Sequence, residues 1–318
     1  MIGIDIGGAN TKVVDDSGVH IHYCPLWEDA PLSDILLQYK DGWQDSAAVV
    51  MSGELADCFE NKLQGISFIV DAVREVFPEA QFYGTDAAFH RGAVPQLAAA
   101  NWLASADLLR EYYPTAVLVD VGSTTTDIIP LGRFSELCGL TDLQRLQKGY
   151  LIYTGMLRTH IATQITCVNI HGIDTPVSVE YFATSADAHL VLRHITPEEY
   201  SCDTPDKKEK TKKASLRRLA RVVCADLVEI GEEGAMDVAR QFWDRQRGMI
   251  GDQVRRVVRE TGATGPVIAG IGAPLFAQEC GGILLFDKLG AVADALPAFA
   301  VREIARCDRC SPGSRPGA

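Results

Sequence analysis

The sequence predicts an α/β fold built as two related lobes around a central cleft. Three observations carry that expectation. The chain opens on MIGIDIGGANTK, an apolar strand that runs into Asp5, turns on Gly7 and Gly8, and leaves as a second strand. The pattern returns at TAVLVDVGSTTTDIIP, with an aspartate at 120 and a Gly-Ser-Thr-Thr turn, which makes it an internal duplication. Elsewhere short apolar runs alternate with stretches of helical period, and 318 residues are enough for two lobes.

Taken in order, the first residues up to about Tyr23 read as a strand meander, with VHIHYC as its third member. AAVVMSGELADCF supplies another short strand ending at Ser52 and Gly53, and GISFIVDAVREVFP an amphipathic helix stopped by Pro78. QFYGTDAAF reads as a strand and turn, and the alanine-rich PQLAAANWLASADLLREYYP as one strong helix bounded by prolines. After the repeat, RRLARVVCADLVEI and AMDVARQFWDRQRGMIGDQVRRVVRETG are helical by period, and GPVIAGIGAPLFAQECGG is a strand entering a glycine turn. The expected division is residues 1–114 as the first lobe, 115–290 as the second, a final helix at 291–306 packing back on the first, and a flexible tail at 307–318.

Composition excludes several classes. Hydrophobic residues make up 47% and charged residues 23%, which is neither disordered nor fibrous. A net charge of −12 opposes nucleic acid and anionic membranes. The basic run from Lys207 to Arg221 lacks interleaved aromatics and reads as the solvated face of a helix. No apolar run is long enough to span a membrane and no leader pattern opens the chain, so a cytoplasmic protein is expected. Nine cysteines, mostly in apolar surroundings, read as free thiols.

The chemistry sits in three glycine turns. In the first, Gly7, Gly8, Asn10 and Thr11 follow Asp5, and Lys12 adds a cation. In the second, Gly122, Ser123, Thr124 and Thr125 follow Asp120 and precede Asp127. The third is Gly270-Ile271-Gly272-Ala273-Pro274. Backbone N–H groups and hydroxyls in such turns surround an anion, and a carboxylate at each strand end can hold a hydrated Mg²⁺ that bridges phosphate oxygens. Phosphate is therefore expected at all three turns, and metal at Asp5 and Asp120. One glycine turn alone would reverse a strand and imply nothing further; two related turns and a third make a phosphate-binding cleft the better reading.

This set resembles the superfamily of actin, sugar kinases and heat-shock ATPases, a two-lobed, ribonuclease H-like fold, and within it the hydantoinase and oxoprolinase-like group. DIGGANTK, MSGELADCF, AAANWLASA, DVGSTTTDIIP, YTGMLRT, EYFATSAD, RLARVVCADL and IAGIGAP together resemble the enzyme family of methanofuran synthesis, over Ile2 to about Val301. The resemblance implies a transferase that condenses an aminomethylfuran-methyl diphosphate with γ-glutamyltyramine, forming an aryl ether and releasing diphosphate. It leaves open whether ATP is bound or used, and it implies small-molecule partners only. Lys12, Asp127 and Arg158 become the candidate catalytic side chains, Arg158 for the diphosphate or the glutamyl carboxylate. For the base that takes the phenol proton, Asp127, Glu54 and Asp187 stand beside matching segments; a helix cap or surface charge is the plainer reading of the last two.

The chain departs from the family pattern in two places. His160 stands where proline follows the Arg-Thr of YTGMLRT, which leaves the path of that turn open. Lysines follow Asp203 and Asp206 where relatives carry Asp-Gly, and a surface loop is expected there. Other signals weigh less: His20, His22 and Cys24 alternate, but a half-exposed strand without metal explains them, and the Cys307–Cys310 pair lacks a second pair for zinc. An ATP-using kinase or hydantoinase-like hydrolase, and a nucleotide-sensing scaffold without turnover, remain as alternatives at this point.

Overall fold

The computed structural model describes residues 1–28, 31–40 and 46–310. Strand β1 (Ile2–Ile6) is buried along its length, β2 (Asn10–Val14) and β3 (Val19–Tyr23) return antiparallel beside it, and β4 (Ala47–Met51), β5 (Gln81–Tyr83) and β6 (Phe89–His90) complete a six-stranded sheet, β3-β2-β1-β4-β5-β6. β4 runs parallel to β1, and β5 parallel to β4. Further along come β7 (Val117–Val121), β8 (Thr126–Pro130) and β9 (Leu151–Ile152), the hairpin β10 (Cys167–Ile170) and β11 (Ile173–Pro176), and the late strands β12 (Pro266–Ala269) and β13 (Ile283–Leu284).

The second large sheet has the order β13-β12-β7-β8-β9. β7, β8 and β9 form an antiparallel meander, and β12 lies parallel to β7. Strand for strand this repeats the first sheet, with β1 matched by β7, β2 by β8, β3 by β9 and β4 by β12. The duplication seen as a repeated motif is thus a repeated topology.

Helices sandwich the sheets. They are α1 (Leu32–Leu37), α2 (Lys62–Val76), α3 (Asn101–Leu109), α4 (Phe134–Leu137), α5 (Asp142–Lys148), α6 (Ser185–Val191), α7 (Lys212–Arg221), α8 (Gly231–Thr261), α9 (Ala273–Cys280), α10 (Phe286–Leu289) and α11 (Leu296–Cys310). Ile2, Ile4, Ile6, Val49 and Met51 point to one side of the first sheet, onto α1 and α2. Val117, Val119, Val121 and Ile128 point away from the cleft, onto α8 and α9. Between the sheets lies a shared core of Ala48, Val50, Leu118 and Ile129 with α3 and α11.

Strand alternation then places the site. In β1, Asp5 shares the face of Gly3, which lies against α11, and in β7, Asp120 shares the face of Leu118. By the same rule Lys12 and Asp127 turn inward on β2 and β8. Four charged side chains therefore face the space between the sheets.

Three expectations are corrected. The alanine-rich stretch is not one helix: Pro95–Leu97 is a short 3-10 turn, Ala99 takes a left-handed backbone at φ 47, and α3 starts only at Asn101. The Ala100 N–H bonds the carbonyl of Met51 at 3.1 Å, so a tertiary bond to the end of β4 overrides helix propensity. The helix expected through RRLARVVCADLVEI ends at Arg221, with Cys224 also left-handed at φ 57. At the C-terminus, Gly290–Ala295 is 3-10 and α11 runs on to Cys310, through residues expected as tail; 311–318 and the Cys310 side chain lie outside the described residues.

The basic run is also only partly solvated. Arg218 is fully buried, bonded to Asp187 at 2.8 Å and Asp206 at 3.0 Å. Among the described residues no helix is long and apolar enough to cross a membrane.

Helix α11 crosses β1 so closely that a Cβ on Gly3 would stand 2.0 Å from the Ala298 carbonyl oxygen. Gly3→Val should therefore cost about 1–3 kcal/mol in chemical denaturation. An unchanged midpoint would contradict this packing.

Candidate active site

The two hairpins that carry the aspartates close the same way. Gly7 donates its N–H to Asn10 O at 2.9 Å, and Gly122 to Thr125 O at 2.9 Å. In both, the aspartate faces the charged residue of the next strand, Asp5 opposite Lys12 and Asp120 opposite Asp127. The neighbouring turns match too: Gly53 N–H donates to Ile6 O at 3.1 Å, and Gly272 N–H to Val121 O at 3.0 Å.

Each loop is strapped through its carbonyls. Ala9 O and Gly8 O accept from Cys24 and Leu26, both at 2.9 Å; Gly122 O accepts from Met156 at 2.9 Å, and Ser123 O from Leu157 at 2.9 Å and Arg158 at 3.0 Å. The amides of Gly8, Ala9, Ser123 and Thr124 have no protein acceptor among the described residues. A Cβ on Gly8 would meet nothing within 4 Å, so this loop is open on its outer side. Gly155 fits beneath the second loop, where a Cβ would come within 2.7 Å of Gly122 O. Two turns with their carbonyls tied back and their N–H groups free make a cradle for an anion.

The charges between them are not balanced. Burial raises the Asp5 carboxyl to about 6, against the pull of Lys12 and Asn101. Burial, then the neighbouring Asp127, raises Asp120 to about 7. Asp127 is also pushed up by burial, but Arg145 opposes the shift through an ion pair. Arg145 bonds Asp142 at 2.7 Å as well, and its guanidinium lies 4.3 Å from the centre of the Trp102 ring. Lys12 Nζ donates to the Asp294 carbonyl at 2.7 Å. Asp5 Oδ1 is buried without a hydrogen-bond partner.

An orphaned carboxylate oxygen beside a second carboxylate fits a hard divalent cation. Mg²⁺ characteristically takes one or two carboxylates and fills its remaining positions with water and phosphate oxygens. No group of three metal-ligating side chains occurs among the described residues, so a cation here would draw on Asp5 and Asp120 and take its other ligands from water and phosphate.

The remaining candidates sort by position. Asn10 lies at the mouth of the first loop, and Ser123, Thr124 and Thr125 form the second. The Thr11 side chain faces away from Lys12 and is fully buried, so its hydroxyl does not line the cradle. Gly270 and Gly272 serve close packing, since Cβ atoms there would stand 2.4 Å from Asp120 Oδ1 and 2.5 Å from Val121 Cγ1. Arg158 stacks over Trp27 at 4.5 Å. Asp187 caps α6 from within a capping box and pairs with Arg218 and Ser215. Glu54 is buried with Oε2 unpartnered, and burial raises its carboxyl. His160 takes an extended backbone, bridges to Thr184, and sets its ring 5.3 Å from Tyr181.

Sequence reasoning missed Arg145, Asn101, Asp294 and Trp27. Arg145 follows a Thr141 capping box in an otherwise ordinary helix, and nothing local marks it as the partner of Asp127.

A profile of the hydantoinase/oxoprolinase family matches residues 45–288. The chain is 35% identical over 322 residues to the (4-{4-[2-(γ-L-glutamylamino)ethyl]phenoxymethyl}furan-2-yl)methanamine synthase of Methanocaldococcus jannaschii, covering 96% of this chain and 97% of that protein. It is 40% identical over 156 residues to the synthase of the same name from Methanococcus vannielii, covering 49% of this chain and 70% of that one. The nucleotide-free structure of acetone carboxylase superposes with a TM-score of 0.52 at 10% identity, over 94% of this chain and 69% of that one. The fold is the two-lobed, duplicated α/β architecture of the actin-like ATPases.

Because their folded values lie above the ordinary 3.8, Asp5 and Asp120 keep protons that the unfolded chain has released. Metal-free protein should lose stability as pH rises through that window, from about 4 to about 7. Asp120→Asn removes one such group, so its melting temperature should gain on the parent between about pH 4 and pH 7. A pH-independent difference would contradict a raised Asp120 carboxyl.

Proposed function

This chain belongs to the hydantoinase/oxoprolinase family and, within it, to the synthases of methanofuran formation, and from that membership we propose how its cleft works. It is a transferase that joins an aminomethylfuran-methyl diphosphate to the phenol of γ-glutamyltyramine. The phenol oxygen bonds the furfuryl carbon, the bond from that carbon to the diphosphate oxygen breaks, diphosphate leaves with the electron pair, and the phenol proton passes to a base.

The observation that carries the reading is the pair of like hairpins, each with free amides and an aspartate whose carboxyl is pushed up. Gly7, Gly8 and Asn10 on one side and Gly122, Ser123, Thr124 and Thr125 on the other hold the diphosphate through backbone N–H groups and hydroxyls, with Lys12 as a fixed cation. Asp5 and Asp120 would hold Mg²⁺, which supplies positive charge beside the leaving oxygen. The cradle favours the departing diphosphate over the bound ester because charge grows on those oxygens as the bond breaks.

Asp127 takes the proton. Burial strengthens its hold on a proton, and the ion pair with Arg145 opposes that shift. A phenol has an ordinary pKa near 10, so a positioned base contributes about 10²- to 10⁴-fold. The reaction balances without ATP, and small molecules in the cytoplasm are its only partners.

Purified protein with the synthetic furan diphosphate, γ-glutamyltyramine and Mg²⁺ should release diphosphate and give the ether mass without ATP. Asp127→Asn should lower kcat by about 10²- to 10⁴-fold and remove the acidic limb of its pH profile. ADP formation from added ATP with no ether would overturn the transferase reading.

A further inference from the structure

Both loop straps end in side chains that meet. Leu26, whose N–H binds Gly8, is followed by Trp27; Arg158, whose N–H binds Ser123, stacks on that indole at 4.5 Å. The contact joins the first sheet's hairpin to the second's at the mouth of the cradle. Tyr23 closes one side, since it pairs with Asn10 at the end of β3. Tyr181 closes another, its ring 5.3 Å from that of His160, two residues beyond Arg158.

The surrounding charges are mixed. Burial raises the hydroxyls of both tyrosines; Asp203 lies near enough to push both further up and Arg158 to oppose it, and Glu28 adds to the shift at Tyr23. Tyr23 and Tyr181 are 38% and 55% exposed, so aromatic surface is presented to solvent here rather than packed away.

A diphosphate is the wrong guest for this rim. Asp203 and Glu28 oppose a multiply charged anion, and three aromatic side chains add nothing to its binding. A γ-glutamyl arylethylamide fits it: a ring to lie against indole and phenol faces, an α-carboxylate for a guanidinium, and an α-ammonium for a carboxylate.

We propose that Trp27, Arg158, Tyr181 and Asp203 form the acceptor subsite, with Arg158 binding the glutamyl carboxylate, Asp203 the glutamyl ammonium, and the two aromatics flanking the tyramine so that its phenol points down to the diphosphate cradle. The assignment rests on the transferase reading. Arg158 is then a specificity-determining residue for the acceptor and does not bind the leaving group. The guanidinium already lies over the Trp27 ring, so less side-chain freedom is lost when the carboxylate arrives.

The test compares γ-glutamyltyramine with tyramine, which keeps the ring and lacks the amino-acid end. In Arg158→Met, KM for γ-glutamyltyramine should rise about 10- to 100-fold, while KM for the furan diphosphate and for tyramine stays within about 2-fold. Asp203→Asn, at an exposed position, should weaken the same acceptor by a smaller factor. Quenching of tryptophan fluorescence by γ-glutamyltyramine reads binding without turnover, and Trp27→Phe should remove most of it. If the parent protein makes the ether but Arg158→Met raises KM for the diphosphate, or for both acceptors alike, the subsite is overturned and the transferase stands. If the parent makes no ether and γ-glutamyltyramine leaves its fluorescence unchanged, both fall. Quenching that vanishes in Arg158→Met would keep the subsite even where the chemistry proves different.

Discussion

Two aspartates at the ends of twin strands, Asp5 buried and Asp120 half-buried, set the terms for this protein. Asp5 and Asp120 each sit where a central strand turns into a glycine loop, and each is short of countercharge. Carboxylates without partners are costly to bury, and a fold retains them where a ligand supplies the missing charge. The surroundings follow from holding them there. α11 lies tight on Gly3, Gly270 and Gly272 let a turn press on β7, and Gly155 leaves room beneath the second loop.

The duplication explains the asymmetry of the site as much as its symmetry. The two hairpins share their closing bond and their aspartate, yet the residue opposite is Lys12 in one and Asp127 in the other. One lobe therefore brings a cation to the shared space and the other an anion. Arg145, stacked on Trp102, pairs with Asp127 and opposes the upward push of burial on its carboxyl. A cation on one wall and a carboxylate on the other suit the proposed reaction, in which an anion leaves as a proton is taken up.

Much of this was legible in the chain itself, because strand and turn signals are local. The repeated strand-Asp-Gly-strand pattern led to β1, β2, β7 and β8, and apolar period led to α2 and α8. What stayed hidden depends on contacts distant in sequence. The break at Ala99 comes from a bond to Met51, and the burial of Arg218 from Asp187. Thr11 was placed in the cradle by its neighbours, but alternation along β2 turns its side chain into the core. Trp27 and Arg158 are far apart in the chain and meet only because the straps over two related loops converge.

The most direct test is the binding of inorganic diphosphate measured by calorimetry with and without Mg²⁺. The account predicts a single Mg²⁺-dependent site that weakens sharply in Lys12→Ala and in Asp5→Asn, and that Arg158→Met leaves intact. Binding that ignores Mg²⁺, or that survives loss of Lys12 and Asp5 but not of Arg158, would contradict it.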